Sequence, residues 1–130
     1  MPYKYKRRLN IAIDFDGTIT ESNSYPRIGK LRPYAKQVIN KLRDLGNYIY
    51  LWTCRTGATL EDAKAFLAVN GIELDGYNEG PSTGSPKLIA DVYIDDMAYP
   101  NNGEIDWVAI AKSFDIDIED LENGDNQDEV

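Results

Sequence analysis

The chain has 130 residues, a formal charge of −8, 42% hydrophobic and 28% charged residues, one cysteine and no histidine. That length is one domain's worth; no apolar run approaches the ~20 residues of a membrane-spanning helix, and a lone thiol makes no internal disulfide, so a reducing cytoplasm is expected. Without histidine, Ser-His-Asp and Cys-His catalysis, phospho-histidine chemistry and imidazole-containing zinc sites are excluded, leaving carboxylates, hydroxyls, Lys, Arg, backbone groups and a hard metal ion to carry any chemistry.

The N-terminal basic run, Lys4, Lys6, Arg7 and Arg8, reads as a solvated leader. The apolar stretch behind it is broken by Asn10 and Asp14, too soon for the roughly 7–15 residues of a signal-peptide core. Leu9 to Asp14 is a short β-branched run, expected as a strand buried on both faces. It stops at Asp14-Phe-Asp-Gly-Thr18, a turn-forming cluster. A helix is predicted from Pro33 to Leu45, where Ala35, Val38, Ile39, Leu42 and Leu45 form one apolar stripe ending at Gly46. Tyr48 to Trp52 reads as the second strand, followed by Thr53, Cys54 and Arg55, with Cys54 expected to be a small buried residue. A second helix is predicted from Leu60 to Val69, capped by Thr59 and stopped by Gly71.

Ile72 to Leu74 reads as a short third strand, and Asp75 to Pro86, rich in Gly, Pro, Ser and Asn, as a loop leading to Lys87. Val92 to Ile94 is the next strand, ending in Asp95 and Asp96. Ile105 to Phe114 is a third helix, and the alternation from Phe114 to Glu119 allows a last edge strand. Residues 1–121 are expected to form a single domain. Residues 115–130 carry eight acids and no base, and 122–130 are expected to be an acidic, disordered tail. The first 114 residues are neutral, so nucleic acid is not indicated as a partner.

Strands alternating with helices predict a Rossmann-like three-layer α/β sandwich with a mainly parallel sheet. Ligands of such sheets bind beyond the carboxyl ends of the strands. The residues there are Asp14 and Asp16 after the first strand, Thr53 and Arg55 after the second, and Asp95 and Asp96 after the fourth. Neighbouring carboxylates repel and raise each other's pKa unless a cation lies among them. Oxygen ligands without a His or Cys cluster point to Mg²⁺. Gly17 allows a sharp turn that brings backbone N–H groups toward an anion, and a hydroxyl and an ammonium, Thr53 and Lys87, suit the same anion. Together these meet the needs of phosphoryl transfer. Each also has a plain structural reading: Thr53 as a strand-end hydroxyl, Lys87 as a solvated loop lysine, Asp96 as a turn cap, Arg55 as half of an ion pair.

Asp14-Phe-Asp-Gly-Thr-Ile-Thr20 resembles the first motif of the haloacid dehalogenase (HAD) superfamily. Thr53 is similar to its second motif, Lys87 to its third, and Tyr93-Ile-Asp-Asp96 to its acidic fourth. The four stand in the family's order over roughly residues 9–114. The resemblance implies a Mg²⁺-dependent phosphomonoester hydrolase working through an aspartyl-phosphate. Asp14 would be the nucleophile and Asp16 the acid and base. Mg²⁺ would be held by Asp14, the backbone carbonyl of Asp16, and Asp95, with Asp96 helping. Thr53, Lys87 and Arg55 would meet the phosphoryl oxygens. The gap between Gly17 and the first helix and the gap at residues 72–86 are too short for an inserted cap domain of roughly 50 residues, so the resemblance is to a capless member with an open site, suited to a large substrate or to cover by a second subunit or a mobile loop. Two other readings compete: a catalytically inactive partner module that keeps the fold, and a receiver-type signalling domain, in which the paired acids come early and a lone acceptor Asp ends a later strand.

Overall fold

The computed structural model describes residues 8–21, 24–78, 90–96, 104–119 and 121. Four parallel strands, β1 (Asn10–Ile13), β2 (Tyr48–Leu51), β3 (Gly76–Tyr77) and β4 (Val92–Ile94), form one sheet in the order β3-β2-β1-β4. Three helices, α1 (Ala35–Asp44), α2 (Gly57–Val69) and α3 (Trp107–Ser113), complete the described elements. This is the α/β sandwich with a parallel sheet that the alternating pattern predicts.

Register explains the core. Ile11 pairs with Ile49, and Ile13 with both Leu51 and Ile94. Side chains in register share a face, so these branched residues make one apolar wall, all buried. The steps β1-α1-β2 and β2-α2-β3 run the same way across the sheet, so right-handed crossovers put α1 and α2 on that wall. α3 packs against α1. Of the three layers expected, the described residues supply the sheet and this one helix layer. The other face carries Ala12 between Tyr50 and Tyr93, with Tyr48 and Trp52 partly exposed on the same side.

Several boundaries differ from the sequence reading. α1 ends one residue sooner than predicted, which leaves Leu45 as its cap and exposed rather than in the apolar stripe. Gly46 then turns the chain at φ 98°. α2 starts three residues before the predicted point, with Thr56 rather than Thr59 as its N-cap and no side-chain bond at that cap. Glycine and threonine are poor helix formers, but Gly57 takes φ 53° at no steric cost.

The third strand lies at Gly76–Tyr77, not at residues 72–74, although Ile72 and Leu74 are buried. Asp75 is the reason. Its N–H donates to the Ile49 carbonyl and its carboxylate accepts from the Ile49 N–H, both at 2.7 Å, so the ladder begins only beyond it. Residues 114–119 are not an edge strand: Asp115 breaks the alternation at φ 59°, and residues 118 and 119 are helical, while Ile116 and Leu121 bury into the core. α3 is shorter than predicted and is capped by Asp106, whose Oδ1 accepts from Val108 N and Ala109 N. Lys87, the basic residues before Arg8 and the tail 122–130 lie outside the described residues.

Candidate active site

β1 and β4 lie side by side, and the ladder runs one step past them: Asp14 N donates to Ile94 O at 3.0 Å. The same register brings Asp95 level with Asp14. One carboxylate oxygen each from Asp14, Asp95 and Asp96 falls within 4.8 Å of the others. The Asp14 carboxyl is pushed up to about 6, mainly by burial. A bond from the Phe15 N–H opposes that rise, and the charges of Asp95, Asp96 and Asp16 add to it. Asp96 is raised too, by burial first and then by its hydrogen bond with Asp95 and that group's charge, against a lowering by Arg32.

The loop after β1 is built to hold this edge. Gly17 sits at φ 83°, and the Phe15 carbonyl accepts from the N–H groups of Thr18, Ile19 and Thr20. Gly17 N donates to Thr20 Oγ1 at 3.1 Å. The N–H groups of residues 17–20 are therefore spent inside the turn rather than turned to an anion, as Gly17 had suggested. Three residues the motif reading did not single out tie the turn down. Thr18 Oγ1 accepts from Asp96 N at 3.0 Å. Trp107 Nε1 donates to Thr18 O at 3.0 Å. Arg32 donates to the carbonyls of Gly17, Thr20 and Ile105. Thr18 was visible within the DxDGT run. Arg32 and Trp107 act from remote segments on backbone atoms, for which a sequence gives no sign.

The Asp16 carboxylate stands outside the acid cluster; the place the resemblance gives Asp16 on a metal is that of its backbone carbonyl. Both carboxylate oxygens accept from Arg55, Nε to Oδ2 and Nη2 to Oδ1, each at 2.7 Å. This is the two-pronged pairing that guanidinium and carboxylate geometry favours. Arg55 is only 1% exposed. Its other N–H groups go to the carbonyls of Pro26, Arg27 and Thr59. All five donors are thus committed, and none remains for the phosphate contact expected of Arg55. Of the two readings left open for Arg55, the ion pair is the one found. The contact with Asp16 raises the Arg55 pKa further.

Thr53 is half-buried. Its N–H donates to Asn78 Oδ1 at 2.8 Å and its Oγ1 accepts from Arg55 N at 3.2 Å. Asn78, at φ 56°, also donates to the Arg55 carbonyl. A cleft of about 480 Å³ opens among Asp14, Asp16, Tyr25, Thr53, Cys54 and Arg55. Cys54 is exposed at its edge rather than buried, since the chain has left β2 by that point. The sheet edge thus joins Asp14, Asp95, Asp96 and Thr53 in one region. It keeps Asp16 beside them but paired, and withdraws Arg55. Lys87 lies outside the described residues.

The cluster's chemistry suits a hard cation. Three carboxylate oxygens without nitrogen or sulfur could hold a hard divalent cation. A divalent charge also relieves the repulsion that raises Asp14.

No family model matches the chain, and no curated protein matches it. A solved structure does, described as the "structure of the conserved protein coded by locus from Bacteroides thetaiotaomicron". It is 33% identical, with a TM-score of 0.74 over 88% of this chain and 98% of that one. No described helix is long and apolar enough to cross a membrane.

Proposed function

We propose that this chain, which belongs to the same family as the conserved Bacteroides thetaiotaomicron protein, is a Mg²⁺-dependent phosphomonoester hydrolase of the HAD type. One observation carries the reading: Asp14, at the carboxyl end of the central strand, shares a 4.8 Å cluster with Asp95 and Asp96 and borders an open cleft. Crowded half-buried acids are costly, and perturbed acids in clefts are functional-site candidates.

In this reading Asp14 attacks phosphorus. The bond from Asp14 Oδ to phosphorus forms as the bond to the leaving oxygen breaks, and water then frees phosphate and restores the carboxylate. Asp14, Asp95, Asp96 and the Asp16 backbone carbonyl would hold the ion, which when bound supplies charge neutralisation to the phosphoryl oxygens. Thr53 donates its hydroxyl to one of those oxygens, and Lys87 neutralises another. The proton for the leaving oxygen is assigned to Asp16. Both its oxygens accept from Arg55, one N–H each, so Arg55 positions the carboxylate and favours its ionised form while leaving further lone pairs on it. The single exposed thiol fits a reducing cytoplasm.

The test is hydrolysis of p-nitrophenyl phosphate and a broader phosphomonoester panel, with Mg²⁺ and with EDTA. Turnover is expected only with the metal, and Asp14→Asn is expected to lose about three or more orders of magnitude. Cation binding without turnover of any phosphomonoester would instead fit the inactive partner module.

A further inference from the structure

Catalysis as described leaves Tyr25 without a role, yet Tyr25 lines the cleft beside Asp14, Asp16 and Thr53. It is 56% exposed. An exposed loop ring ordinarily keeps its rotational freedom, because water-facing surface returns nothing for the entropy of fixing it. This one is anchored. Its ring lies over the Arg55 guanidinium, 5.1 Å from carbon to ring centroid. Phe15, fully buried, lies over the same guanidinium at 5.3 Å and meets Phe66 edge-on at 5.8 Å. A chain of ring and cation contacts thus runs from α2 and the core to the cleft.

The backbone beside Tyr25 is tied to the same hub. Arg55 donates to Pro26 O at 3.3 Å and Arg27 O at 2.9 Å, and Arg27 N donates to Ser24 O at 2.9 Å. Arg55 reaches these carbonyls while its other prong holds Asp16. The guanidinium therefore sets the distance between the tyrosine ring and the catalytic turn.

We propose that Tyr25 is a specificity-determining residue, a ring held in advance at the cleft to stack on a planar ring carried by the substrate, with Arg55 as the residue that positions it. The inference rests on the phosphohydrolase reading for the reacting end and adds the substrate class: a phosphomonoester whose organic group carries an aryl or heteroaryl ring, rather than a polyol phosphate. Tyr25 is the one aromatic surface among the described residues lining the cleft, whose other walls are mostly polar. About 480 Å³ lies within the range of small-molecule sites and holds a phosphate together with a ring. A tyrosine offers large contact area at low entropic cost, and ring–ring contact adds about 0.5–1.5 kcal/mol beyond burial.

The experiment compares binding of benzylphosphonate and methylphosphonate, which are not hydrolysed, to the full chain with Mg²⁺. It then compares KM for phenyl phosphate, a nucleoside 5′-monophosphate and glycerol 3-phosphate. Wild type should favour benzylphosphonate, and Tyr25→Ala should lose about 2- to 10-fold of that preference while Tyr25→Phe keeps it. The loss should appear in KM for ring-bearing substrates. Whichever of the aryl ester or the nucleotide loses more identifies where the ring sits. Arg55→Lys, with folding checked by circular dichroism, should lose the preference as well, since an ammonium cannot reach Asp16 and both carbonyls together. An unchanged preference in Tyr25→Ala overturns the assignment even if wild type hydrolyses every ester. A wild type that hydrolyses none overturns the phosphohydrolase reading instead.

Discussion

Replacing Asp14 by Asn should make the metal-free protein more stable, although it removes the proposed nucleophile. The Asp14 carboxyl rises from 3.8 to about 6 on folding. Such a group holds more protons in the folded than in the unfolded chain between those two values. Stability therefore falls as pH climbs through that window, and the loss is complete above it. At about 1.4 kcal/mol per pH unit the burden approaches about 3 kcal/mol at neutral pH, and solvent screening of a half-buried group brings it to about 2. Asn has nearly the same shape and no charge. In EDTA at pH 8 the variant should melt several degrees above wild type, at roughly 2–8 °C per kcal/mol for domains of this size. At pH 4 the two should converge. Added Mg²⁺ should reverse the order, because a ligand at a hundred times its Kd gives wild type about 2.7 kcal/mol and the variant little. Thermal melts followed by circular dichroism, with and without cation at both pH values, read all of this. An Asn variant that melts below wild type at pH 8 in EDTA, or equal Mg²⁺ stabilisation of both proteins, would refute the argument.

Arg55→Gln should destabilise by about 3–5 kcal/mol, the usual result of leaving one member of a buried pair alone, and urea melts at neutral pH give the number. Trp107→Phe keeps the ring in the core but removes the donor to Thr18 O; a loss of about 1–2 kcal/mol is expected, and a neutral result would mean that the turn holds without it. Thr53→Val should lower kcat/KM about 10- to 100-fold and also lower the melting temperature, because it removes the acceptor of the Arg55 N–H, whereas Thr53→Ser should retain both the bond and most activity. Equal activity of both variants would remove Thr53 from the site.

Much of this site could be read from the chain because it sits where periodicity ends. The runs at residues 9–14 and 92–94 are short, apolar and followed at once by acids; a parallel sheet puts their ends on one side, and the strand order, which the sequence does not give, makes them neighbours. Asp14, Asp95 and Asp96 do meet there. What stayed hidden is set by pairing between distant residues. Asp75 looked like a loop residue, but its carboxylate occupies the Ile49 N–H, and β3 starts at Gly76, four positions later than predicted. Arg55 could be read from the sequence either as half of an ion pair or as a substrate contact; what decides is the Asp16 carboxylate and three carbonyls that take its donors. Spacing in the sequence locates charges along the chain; it does not say which of them are already satisfied.

That distinction bears on what the two aspartates of the first turn can do. They lie two residues apart, yet their surroundings are opposite. Asp16 is matched oxygen for nitrogen by a guanidinium at 2.7 Å. Asp14 joins no ion pair among the described residues, and Arg32, whose charge acts on Asp96, donates to carbonyls. Arg32 lowers Asp96 only through its field, and burial and Asp95 outweigh it. If these acids served only to shape the turn, an arginine turned onto Asp14 as Arg55 is onto Asp16 would relieve the strain at little cost. Among the described residues, one aspartate is neutralised by a guanidinium and the other faces its neighbours' repulsion. A mobile divalent ion relieves that repulsion and still leaves an oxygen of Asp14 free to react, which a bound guanidinium would not.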